Sequence, residues 1–175
     1  MITSATELLA ATGTPSLHAL AVHFPVALLS VALLLDLACL VARTKLWLDR
    51  SATTLYVVGT VGAAAAYLSG RLAAPEASSF TGEIRSLLAD HGDLGLLTLL
   101  AYLVVAVLRV IVSWLSRDDR RITPGFFRLL ALVASASALV LLVLTVDRGG
   151  ALVYRHGVGQ AAVTSQDSRP PSDTP

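Results

Sequence analysis

Four apolar runs, each long enough to cross a bilayer, constrain this chain more than any other feature. They cover residues 17–42, 52–72, 94–115 and 126–146. Each is close to the roughly 20 residues that a hydrocarbon core about 30 Å thick demands. In lipid a backbone must satisfy its own N–H and C=O groups, so such runs are helices. A soluble bundle would need polar outer faces, which these segments lack. Of the 175 residues, 55% are hydrophobic and 14% charged, against about 25% charged in an ordinary globular domain. The expected fold is all-α: an integral membrane four-helix bundle.

The loops orient it. Arg43, Lys45 and Arg50 lie between the first two runs, and Arg117, Arg120 and Arg121 between the last two, with Arg128 at the start of the fourth. The longer middle loop carries only Arg71 and Arg85, and the stretch before the first run carries no Lys or Arg. Basic loops face the cytoplasm, so both termini are expected on the extracytoplasmic side. Without Lys or Arg, the start also lacks the basic n-region of a secretory signal, so the first run reads as a retained helix. Residues 1–16 read as an N-terminal extracytoplasmic segment, 17–159 as the transmembrane domain, and 160–175 as a Ser/Pro/Asp-rich disordered tail.

Proline fits the first turn of a helix and biases its predecessor away from helical dihedrals. Pro25 therefore favours a membrane helix that begins near Phe24, with a separate interfacial piece before it; a single kinked helix is the other arrangement. In the middle loop, residues 82–88 suggest a short amphipathic helix, and Asp147-Arg148-Gly149-Gly150 suggests a break after the fourth run. Small residues at Gly59, Gly62, Ala63, Ala66 and Gly70 suit close helix packing. The first and third runs each start beside histidine and each carry one buried charge. That faint echo admits a two-plus-two duplication of the kind found in other membrane folds.

All four histidines of the chain, His18, His23, His91 and His156, fall at run ends assigned to the outer side. Imidazole at such a rim serves metal or haem ligation, proton handling or plain hydrogen bonding. His18 and His23 are five residues apart, about 140° around a continuous helix, so they would not hold one ion together. His23 lies deeper and is the better first ligand, with His91 or His156 as partner; His23, His91 and His156 form the candidate metal set. Asp90, Asp93 and Asp147 could orient imidazoles or simply be solvated.

Asp36 lies about 16 Å inward from Pro25, and Arg109 about 22 Å inward from Leu94. These depths allow a buried ion pair between the first and third helices, with a proton path as the other use. Cys39, alone and inside an apolar run, is expected to pack. A net charge of +1 and the lack of a basic, aromatic-rich patch leave no case for nucleic acid.

The opening His18-Ala-Leu-Ala-Val-His23-Phe-Pro25-Val-Ala-Leu resembles the start of bacterial membrane proteins catalogued as domain of unknown function 2231. The closing Gly149-Gly150-Ala-Leu-Val-Tyr154-Arg-His156-Gly157-Val-Gly159 is similar to that family's end, and Gly70 and His91 look like family positions. The resemblance spans about residues 17 to 160. It implies a four-helix domain of the bacterial cytoplasmic membrane. Some relatives are joined to Rieske iron–sulfur domains, which favours redox work by analogy. The chain departs from the pattern at Ala19, where the family usually has proline, and it has no Cys-x-His pairs of its own.

The function expected is a membrane redox protein holding haem b or another metal through these histidines, with the lipid bilayer and redox partner proteins or a second copy as partners. The alternative is a non-catalytic membrane subunit or scaffold with structural histidines. Whether the chain is an enzyme stays open at this level.

Overall fold

A computed structural model describes residues 14–41, 46–73, 80, 82–115 and 125–158. Within them the chain forms four helices and no strand: α1 Thr14–Val41, α2 Leu46–Ala73, α3 Glu83–Leu115 and α4 Gly125–His156. Each contains a stretch long and apolar enough to cross a membrane: Leu17–Val41, Trp47–Ala73, Glu83–Trp114 and Phe126–His156. Between 22% and 33% of each spanning window is buried inside the bundle. Leu34, Leu37, Leu103, Val104, Val140 and Val143 point outward, an outer surface suited to acyl chains rather than water.

α1 packs on α2, α3 on α4, α2 on α3, and α4 closes back on α1. α1 and α3 thus lie on a diagonal and meet chiefly through side chains. The histidine-bearing start of α1 touches the end of α2 and the start of α3, which touches the end of α4. The helices therefore alternate in direction. The core along the axis is Leu29, Ala32, Tyr56, Tyr102, Val105, Ala138 and Leu142. Close approach of α1 to α2 rests on small residues: a Cβ at Gly59 would lie 2.6 Å from Leu29 Cδ2.

The two helix pairs form an internal repeat. A shift of 73 residues, which carries His18 onto His91, also carries buried Pro25, Leu29, Ala32, Leu33, Asp36 and Cys39 onto buried Thr98, Tyr102, Val105, Ala106, Arg109 and Val112. A shift of 79 residues carries Asp49, Ala52, Tyr56, Gly59, Ala66 and Gly70 onto Arg128, Ala131, Ser135, Ala138, Thr145 and Gly149. The faint echo in the sequence thus becomes a residue-by-residue correspondence, with acid in the first half and base in the second at two positions.

Three local expectations are corrected. α1 runs unbroken through Pro25, so no separate interfacial piece precedes the span. The proline costs one intrahelical hydrogen bond, but its ring is buried and sits beside Gly62, where a Cβ would meet Pro25 Cδ at 3.5 Å. Residues 83–88 belong to the first turns of α3 rather than to an independent helix. α4 continues through Asp147, Arg148, Gly149 and Gly150 to His156. It stops at Gly157, whose φ of 66° is the left-handed cap favoured by glycine, with its N–H on Val153 O at 3.1 Å. Residues 1–13, the tail from 159 onward and Arg43, Lys45, Arg117, Arg120 and Arg121 lie outside the described residues.

Candidate functional site

Two polar centres stand at opposite ends of the apolar core. At one end His18 of α1 reaches α2. Its Nδ1 lies 2.9 Å from Ala66 O and 3.1 Å from Ser69 Oγ. His91 of α3 repeats the contact on α4, with Nδ1 3.0 Å from Thr145 O. A carbonyl only accepts, so each Nδ1 carries the hydrogen and donates it. In the neutral ring Nε2 is then the free lone pair. Metal-bound imidazoles are held in the same way, their second nitrogen bonded to a backbone carbonyl or carboxylate.

The two rings face each other across the bundle, 6.2 Å between centres and 81° between planes. Glycine makes room for each. A Cβ at Gly70 would stand 3.0 Å from His18 Cε1, and one at Gly149 would stand 2.9 Å from His91 Cε1. Thr98, buried in α3, adds a bond of 2.8 Å to Thr145 Oγ1, whose own hydrogen goes to Leu141 O at 2.8 Å. Both imidazoles are half-buried, so the site is neither sealed nor open water.

His23 and His156 do not join this pair. His23 is exposed on the outer face of α1, and its Nδ1 is 2.6 Å from Ala19 O within its own helix. His156 ends α4, about 10 Å along the axis beyond Gly149. Among the described residues no group of three or more His, Cys, Asp or Glu is placed to hold a metal ion. The expected set of His23, His91 and His156 is therefore not assembled; the pair that meets is His18 with His91. Asp90, Asp93 and Asp147 are exposed.

At the other end Asp36 and Arg109 form the expected ion pair, Arg109 Nη2 lying 2.9 Å from Asp36 Oδ1. Arg109 is 3% exposed, so it does not snorkel to the interface. Asp49, in the first turn of α2, is a third member: its Oδ1 and backbone O lie 3.1 Å and 3.2 Å from the same Nη2. The Tyr56 ring lies 6.0 Å from the guanidinium carbon. Sequence spacing missed Asp49 because an acid one turn into a helix reads as a favourable end charge. The repeat is the signal that finds it, since Asp49 stands where α4 has Arg128. Cys39 is buried beside this cluster. Trp47 and Trp114 are exposed at this same end, as an interfacial belt requires.

No curated protein and no solved structure matches the chain. A family model described as predicted membrane protein (DUF2231) matches residues 14–162. That span takes in all four helices, both histidine-bearing ends and the buried ion pair, and the chain belongs to the DUF2231 family of membrane proteins.

Proposed function

We propose that His18 and His91 would hold a haem b, making the protein a membrane electron carrier. The observation that carries this is the facing pair itself, two imidazoles on diagonal helices with Nδ1 of each tied to a backbone carbonyl. The ligand number favours haem over a bare ion. Zinc sites draw three or four ligands from the protein, whereas a macrocycle fills all but the axial positions itself. The residues fit that role: each free Nε2 carries a lone pair, each ring is fixed in one tautomer by its carbonyl, and Gly70 and Gly149 admit the rings to these positions. Haem b bound there supplies one-electron chemistry, and the half-buried setting brings it within reach of a partner protein at the membrane surface.

The basic loops support a reading in which the histidine end faces the extracytoplasmic side of a bacterial cytoplasmic membrane. Arg50 and Arg128 stand at the opposite end of the bundle, and Arg43, Lys45, Arg117, Arg120 and Arg121 fall in the sequence between the helices whose ends meet there.

The deciding measurement is the absorption spectrum and iron content of full-length protein purified after expression with haem supply. A Soret band is expected, lost in His18→Ala and in His91→Ala and retained in His23→Ala and His156→Ala. Colourless, iron-free wild-type protein overturns the proposal. A second reading is favoured by the same hydrogen bonds: a non-catalytic membrane scaffold in which His18 clamps α1 to α2 and His91 clamps α3 to α4. It predicts that His18→Asn and His91→Asn lower the melting temperature of a colourless protein and change no spectrum.

A further inference from the structure

At the end remote from the histidines, Asp36, Cys39, Leu40, Asp49, Arg109, Arg128 and Leu132 line a partly open cavity of about 30 Å³. Its hydrogen bonding does not balance. Arg109 Nη2 has two hydrogens and three acceptors: Asp36 Oδ1, Asp49 Oδ1 and Asp49 O. Meanwhile Nε of Arg109 and Nε of Arg128 are buried with no hydrogen-bond partner among the described residues. Two carboxylates therefore share one Nη2 while two guanidinium N–H groups on residues that line the same cavity are idle. Buried charges left in that condition are costly.

We propose that this cavity is a water-binding site, holding a water that accepts from the Nε–H groups of Arg109 and Arg128 and donates to the carboxylates of Asp36 and Asp49. A water needs about 10–15 Å³ and two to four polar partners, and this site offers both the room and four partners. Water fits the charge as well. The two aspartates and two arginines sum to zero, so a bound anion or cation would unbalance them, whereas water is both donor and acceptor. Charge inversion between the repeats creates the site: acid at Asp36 and Asp49 in one half meets base at Arg109 and Arg128 in the other.

X-ray radiolytic labelling of full-length protein in lipid nanodiscs tests this, because bound water yields hydroxyl radicals that oxidise adjacent side chains. Leu132 lines the cavity, while Leu139, two turns on in α4 and also partly buried, packs against the apolar core. Leu132 is expected to be oxidised several-fold faster than Leu139, with Cys39→Leu, which fills the cavity, bringing the two rates together. Equal rates in the wild-type chain overturn the proposal. The thermal shift of Cys39→Leu supplies a second arm of opposite sign for the two cases. Expelling a bound water lowers the melting temperature, whereas filling an empty cavity raises it, and a rise counts against the site. Stabilisation of the wild-type protein by added chloride, at constant ionic strength, would assign the cavity to an anion and overturn the proposal as well.

Discussion

Asp36 and Arg109 occupy the same register of α1 and α3, eighteen residues past His18 and His91 respectively, and bond at 2.9 Å. One helix pair offers the acid and the other the base, so the contact joins the halves of the repeat. Breaking a buried pair from one side strands the other charge, which costs about 3–5 kcal/mol. Arg109→Ala, which strands both Asp36 and Asp49, should destabilise the detergent-solubilised protein by that order, and Asp36→Ala, which leaves Arg109 on Asp49, by less, measured by thermal or denaturant unfolding. The exchange Asp36→Arg with Arg109→Asp should recover part of the loss. Additive losses in the double variant would show that the pair is not coupled.

Gly70 and Gly149 should be intolerant of even one methyl. At 3.0 Å and 2.9 Å from an imidazole carbon, the added Cβ makes the His18 or His91 ring give way and strains its bond to the carbonyl. Overpacking of this kind costs about 1–3 kcal/mol. Gly92→Ala is the control: nothing lies within 4 Å of a Cβ there, and alanine suits a helix better than glycine by about 0.8–1 kcal/mol. Melting curves of the three variants should therefore shift in opposite directions.

Thr145 separates the hydroxyl network from the histidine clamp. Thr145→Val removes the partner of buried Thr98 but leaves Thr145 O, which holds His91. Interhelical side-chain hydrogen bonds in membranes contribute about 0.6 kcal/mol on average and at most about 1.7. A loss within that range, with the absorption spectrum unchanged, is the expected outcome. A spectral change would show that Thr98 and Thr145 shape the imidazole site directly.

Topology is open to a direct check. Reporter fusions after residue 158 should be active on the extracytoplasmic side, and fusions in the loop between α3 and α4 should be active in the cytoplasm. The opposite pattern would reverse the orientation drawn from the arginine-rich loops.

The four crossings and the Asp36–Arg109 pair were legible because apolar length and axial depth are properties of the chain itself. Helix ends were not. Pro25 argued for a break because the isolated rule counts one lost hydrogen bond, whereas the helix keeps its line by seating the ring against Gly62. Glycines 149 and 150 argued for a stop, yet in lipid a backbone gains nothing from leaving the helix, and Gly149 instead receives His91. The choice of His23 over His18 failed to foresee their angular positions. Depth is readable from residue number, but which face looks inward depends on where α2 lies. The repeat stayed faint because positions correspond in burial while their residues change, Leu29 to Tyr102 and Asp49 to Arg128 among them.

Traded acid and base leave neither helix pair able to stand in for the other. Two copies of α1–α2 would confront carboxylate with carboxylate, and two copies of α3–α4 guanidinium with guanidinium, at a cost of several kcal/mol. The polypeptide is keyed to its own opposite half, so a change at any one of the four charges should be answered, over generations, by a change at its counterpart.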